Sequence, residues 1–273
     1  MQWSRVKSIF LVILLLVDGF LCLNIAGKYV SRSYRQAENA HNIVEILSGQ
    51  GIRVGAGFSL PDAHTLPVLQ IDRSRADEDR FSYGLLGEDA LRQEEQDGSG
   101  TVRYTSEAGT VSWQGGGQVT GAFVPAGYAA PSDSGEALRL ARTLLTQAGL
   151  AAANLSLQAD GLTVTASFPT AGVPVFNRAL TLDFAADRVR LSGLWTFDTP
   201  YITKSGNYVT FAATDALFTL ISREEVTQID SLTAGFLLGE SGSGRMQMTP
   251  GWRVKTNAGS FFVDSLKISS VLL

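Results

Sequence analysis

One run near the start of the chain, Ser8 to Gly27, constrains everything that follows it. It reads SIFLVILLLVDGFLCLNIAG and lies between Lys7 and Lys28. Wound as a helix at about 1.5 Å per residue, it is about 30 Å long, the thickness of a bilayer's hydrocarbon core. Its thirteen Ile, Leu, Val and Phe residues return about 4–8 kcal/mol on insertion, against a cost of about 3 kcal/mol for Asp18 near the middle. Residues 8–27 are therefore expected to form a transmembrane helix, preceded by a short terminus over residues 1–7.

The run is longer than the apolar core of a secretory signal, and no small-residue cleavage site follows it. Asn24-Ile25-Ala26 is the nearest approach, and the bulky Leu21 before Cys22 argues against a lipoprotein signal. The expectation is an uncleaved anchor. Basic residues flank both sides, Arg5 and Lys7 before and Lys28, Arg32 and Arg35 after, so charge alone leaves the orientation open. The long, acidic-leaning, Gly-rich remainder reads as the extracytoplasmic part.

Asp18 is the outlier within the span. A carboxyl group at that depth is expected to face a partner helix rather than lipid. At helical spacing Leu11, Leu14, Leu15, Asp18, Cys22 and Ile25 share one stripe, which is the candidate partner-binding surface.

Residues 28–273 suffice for one large domain or two small ones. A hydrophobic content of 45% and a charged content of 18% describe a chain that buries a core. The formal net charge of −4 argues against a nucleic-acid partner. Cys22 is the one cysteine, so the region beyond the span can form no internal disulfide. The two histidines, His41 and His64, lack metal-ligand spacing, and neither a metal nor a cofactor is expected.

Apolar periodicity predicts a helix over residues 33–48, a second from about Asp133 to Gly149 with Asp133 or Ser132 as cap, and a short third over residues 214–222. The charged run Asp72–Asp79 reads as a solvated turn, and Phe81–Leu86 as a strand. Further strands, separated by Gly-rich turns, fill the rest. Leu180, Leu182 and Phe184 alternate, as do Trp252 and Val254 against Arg253 and Lys255, so one face of each strand should be buried. Strand-turn-strand order implies antiparallel sheets and an α+β class. The small-residue stretch Pro125–Gly135 suggests a boundary, giving a first α+β domain over 28–125 and a second over 133–273.

No catalytic set emerges. Gly239-Glu240-Ser241-Gly242-Ser243 fails the nucleophile-elbow pattern at its last position, and neither histidine is placed to serve a nucleophile. Gly115-Gly116-Gly117 reads as a hairpin turn, and Glu94–Glu95 and Glu224–Glu225 as surface pairs. Asn154-Leu155-Ser156 matches a glycosylation sequon, a pattern common by chance. The expectation is a protein that is not an enzyme, with no evident small-molecule substrate.

The two ends carry a resemblance. Met1-Gln2-Trp3-Ser4-Arg5-Val6-Lys7-Ser8-Ile9-Phe10 resembles the opening of the YycI family. Pro250-Gly251-Trp252-Arg253-Val254-Lys255-Thr256 and Phe261-Phe262-Val263-Asp264 are similar to its closing strands. The Gly-rich stretches depart from it. The resemblance implies a single-pass membrane protein with its amino terminus in the cytoplasm and an extracellular part of two PepSY-like units, each an antiparallel sheet plus helix. It also implies no enzymatic activity, and a role in restraining or tuning the sensor histidine kinase of a cell-wall two-component system together with a YycH-like partner.

Overall fold

A computed structural model gives the fold and describes residues 17–18, 38, 40–95, 100–151, 155–170, 172–202, 208–240, 245–266 and 269–272. Of the expected span only Val17 and Asp18 are described, both helical and exposed. Among the described residues no helix is long and apolar enough to cross a membrane. The SGSG loop at 241–244 and Asn154 of the sequon lie outside the described residues.

Helix α1 (residues 40–49) is followed by β1 (Arg53–Val54), β2 (His64–Pro67), β3 (Leu69–Ile71), α2 (Arg75–Leu86), β4 (Leu91–Glu94), β5 (Val102–Ser106), β6 (Gly109–Trp113) and β7 (Gln118–Phe123). Helix α3 (Ser134–Gln147) leads into β8 (Ser156–Asp160), β9 (Thr163–Ser167), β10 (Ala179–Phe184) and β11 (Val189–Leu194). Then come β12 (Tyr201–Ile202), β13 (Tyr208–Phe211), α4 (Ala213–Ile221), β14 (Gln228–Glu240), β15 (Met246–Thr256), β16 (Gly259–Asp264) and β17 (Ser269–Leu272). The class is α+β.

The middle of the chain forms one antiparallel sheet of eight strands in the order β4-β5-β6-β7-β11-β10-β9-β8. Helices α2 and α3 cover one face. Their apolar sides meet Val102, Val111, Trp113, Val164, Leu182 and Phe184 in a buried core. The stretch Pro125–Gly135, read from sequence as a boundary, leads from β7 into the first residues of α3 within this layer pair, and β7 bonds directly to β11 beyond it. A turn-like composition marks only where the chain leaves a strand. Pairing across it is a tertiary matter.

Both sequence-flanking regions build the second sheet. Its order is β1-β14-β15-β16-β17, with β3 on β15 and β12 on β3. The β1–β14 pair is parallel, the others antiparallel. Helices α1 and α4 pack on it through Ile43, Leu47, Ala216, Leu217 and Leu220. Trp252 and Val254 are buried here and Lys255 is exposed, as alternation demands. The Trp252 indole N–H also donates to the Phe211 carbonyl at 3.1 Å.

Helix α2 replaces the expected turn and strand. The Ser74 hydroxyl caps it by accepting from the Asp77 N–H at 3.3 Å, and Asp77 and Glu78 sit in its first turn, where the helix dipole favours carboxylates. Its buried positions, Glu78, Phe81, Ser82, Leu85 and Leu86, follow helical spacing. Glu78 is buried but paired, with Arg73 at 2.5 Å and Arg75 at 3.1 Å. Helix α3 has the expected cap: the Asp133 carboxylate accepts from the Glu136 N–H at 2.8 Å. The two helices cross closely because residue 84 is glycine. A Cβ there would lie 2.6 Å from the Ala148 Cα.

Candidate ligand-binding cleft

A short irregular segment between β9 and β10 joins the two layer pairs. Its backbone is zipped to the free side of β14: the Phe176 N–H donates to the Phe236 carbonyl at 2.9 Å, and the Phe236 N–H donates to the Pro174 carbonyl at 2.9 Å. Asn177 extends this pairing through its side chain, bonded to both backbone groups of Leu238. Gly235 makes the approach possible, since a Cβ there would sit 2.6 Å from the Pro174 carbonyl oxygen. Leu69, Ile71, Val175, Phe236, Leu238, Met246 and Met248 seal the joint with an apolar cluster of their own.

The next residue, Arg178, is thereby directed into the protein. It is 3% exposed. Its position continues the inward set Leu180, Leu182 and Phe184. The guanidinium lies 5.2 Å from the centre of the Phe168 ring and 5.1 Å from that of Trp195, a cation–π arrangement on two sides. Nη2 donates to the Thr196 carbonyl. Nε and Nη1 have no hydrogen-bond partner, and nor do the neighbouring Trp195 Nε1 and Thr196 Oγ1. No carboxylate pairs with Arg178 among the described residues. Burial alone pulls its pKa down to about 10, so it stays charged at neutral pH.

Arg178, Phe168 and Trp195 line a cleft of about 500 Å³. Leu150 and Leu155 from beyond α3, Phe168 and Pro169 from beyond β9, and Phe197 and Pro200 from beyond β11 form its apolar walls. Phe197 is fixed by ring contacts with Phe81 at 5.7 Å and Trp113 at 5.6 Å. Asp77 and Asp198 supply negative charge to the lining. Asp77 is already paired with Arg80 at 2.9 Å. Among the described residues the lining holds no histidine, cysteine, lysine or tyrosine. The arrangement can hold a ligand through a fixed cation and aromatic surface.

The residues singled out by sequence fall elsewhere. Leu11, Leu14, Leu15, Cys22 and Ile25 lie outside the described residues, and of that stripe only Asp18 is described. His41 is exposed on α1, and His64 lies exposed 5.6 Å from the Trp252 ring. Glu95 pairs with Arg103 at 2.8 Å and Glu225 with Arg223 at 3.3 Å, both as surface contacts. Among the described residues no cluster of three His, Cys, Asp or Glu could hold a metal ion. Arg178 was missed, although one signal existed: it shares the parity of a strand whose other inward residues are all apolar.

No family model matches the chain, and no curated protein does. Solved structures similar to it include an uncharacterised protein from Eubacterium rectale, with 7% identity over 81% of this chain and 90% of that one and a TM-score of 0.41. Another is the C-terminal domain of YpeB from Bacillus megaterium, with 11% identity over 73% of this chain and 96% of that one and a TM-score of 0.33.

Proposed function

We propose that this chain is a membrane-anchored, non-catalytic regulator of a cell-wall-related sensor histidine kinase, with an extracellular PepSY-like part and a YycH-like companion. The anchor is the run 8–27, and its Asp18 stripe is the contact with partner helices. The observation that carries the ligand-responsive reading is the Arg178 cleft, whose lining combines a buried cation with aromatic walls. The ends of the chain that resemble the YycI family support the choice of partner, and the closing pair falls on two bonded strands, β15 and β16.

The same cleft would serve a secreted or anchored PepSY-like binding or inhibitor module acting on a peptidase or the cell wall. Cell fractionation with N-terminal sequencing separates the two. The regulator stays in the membrane fraction with its first residues intact, and its deletion changes kinase output. A mature protein in the medium beginning after Ala26, or kinase output indifferent to the deletion, overturns the proposal.

A further inference from the structure

We propose that the cleft binds a carboxylate carried on an apolar body, with the carboxylate held by Arg178. This rests on reading the cleft as a ligand-holding site, and it names the class of ligand. A buried charge is normally paired, because an unpaired one forfeits its hydration without return. Arg178 has no such partner, and its Nε and Nη1 are unsatisfied. Trp195, whose ring lies 5.1 Å from the guanidinium, lines the same wall, and its Nε1 is unpartnered as well. A guanidinium offers a planar fork that matches a carboxylate's two oxygens.

Charge selects the class of anion. Among the described residues the lining has one cation, Arg178, against two carboxylates, Asp77 and Asp198. A dianionic phosphate would gain one guanidinium and meet both acids, whereas a monoanion is balanced by Arg178 alone. Asp198 makes no ion pair among the described residues and is available to an ammonium group on the same ligand. Phe168, Trp195, Phe197, Leu150 and Leu155 suit an apolar body, and about 500 Å³ is the size of a small-ligand site. Nε and Nη1 are shielded in this structure, so binding requires the half-buried Phe168 ring to turn and admit the carboxylate.

Binding is measured by calorimetry on the full chain in detergent micelles, with the dipeptide Ala-Phe, its C-terminal amide, N-acetylphenylalanine and inorganic phosphate as probes. The dipeptide acid should bind with a Kd of about 1 mM or tighter, and the amide about tenfold or more weakly, since it loses a charge-assisted pair. N-acetylphenylalanine should retain the carboxylate effect. If it binds as well as the dipeptide, a free acid is as good a source as a peptide terminus. Arg178→Gln, with its fold checked by circular dichroism, should abolish the preference for acid over amide. Equal binding of acid and amide by the wild-type chain, no binding of either up to about 10 mM, tighter binding of phosphate, or a preference that survives Arg178→Gln overturns the inference. None of these outcomes bears on membrane fractionation or kinase output, so the two readings fail separately.

Discussion

Asn177 behaves toward Leu238 as a strand residue would, but with its side chain. Its Nδ2 donates to the Leu238 carbonyl at 2.7 Å, and its Oδ1 accepts from the Leu238 N–H at 2.8 Å. One amide thus closes the edge of β14 and fixes the residue beside it, Arg178.

Asn177→Ala removes both bonds and leaves two backbone groups of β14 unsatisfied in a partly buried place. Stability should fall by about 1–3 kcal/mol, read as a lower urea midpoint. Asn177→Asp keeps the acceptor but sets a carboxylate oxygen against the Leu238 carbonyl oxygen, and at neutral pH it should cost at least as much as Asn177→Ala. An unchanged midpoint for Asn177→Ala would mean that the Pro174 and Phe176 backbone bonds hold the segment alone.

Arg178→Met should behave in the opposite way. The folded-state pKa of Arg178 is pulled down to about 10 by burial, so the fold disfavours its charge. That penalty is fully present below about pH 10 and is relieved as pH rises from there toward the ordinary arginine value. An apolar residue of similar length escapes it, while forfeiting the ring contacts and the Thr196 bond. At neutral pH the variant should be as stable as wild type or more so, by up to about 3 kcal/mol, and the gap should shrink above about pH 10. Chemical denaturation at the two pH values checks this. A loss of several kcal/mol at neutral pH would instead make Arg178 a structural strut.

Trp252→Ala should cost about 3–5 kcal/mol, the range for truncating a buried Trp. Trp252→Phe keeps most of the volume but loses the bond to the Phe211 carbonyl, and should cost about 1–2 kcal/mol. Thermal melts of both variants decide it. An unchanged melting temperature for the alanine variant removes Trp252 from the core.

For Asp18 the expected pattern is functional. An interhelical hydrogen bond in a membrane is worth about 0.6–2 kcal/mol, enough to shift an equilibrium about three- to thirtyfold. Asp18→Leu should insert better while weakening co-purification with the kinase and the companion protein. Asp18→Asn should retain much of the association, because an amide still hydrogen-bonds. Wild-type binding and kinase output for Asp18→Leu would make the residue a passenger.

The sequence was misread over α2 for a physical reason. Ser74 as a cap and the 3–4 spacing of Glu78, Phe81, Ser82, Leu85 and Leu86 were both visible, but a carboxylate on the inward face masks an apolar period. Glu78 can occupy that face only because Arg73 and Arg75 fold over it, and a periodicity that counts apolar residues cannot register that pairing.

What the chain alone determined is local. Caps such as Asp133, the alternation through Leu180–Phe184 and Trp252–Val254, and the resulting α+β class are set by neighbours within a few residues, whose steric and burial preferences a sequence displays directly. What only the tertiary structure decided is which distant segments meet: β7 with β11 across the expected boundary, β3 with β15 from opposite ends of the chain, and Arg178 with Phe168, Trp195 and Leu150 in one cleft. Those meetings depend on packing between elements far apart in sequence, and the composition of either partner carries no record of them.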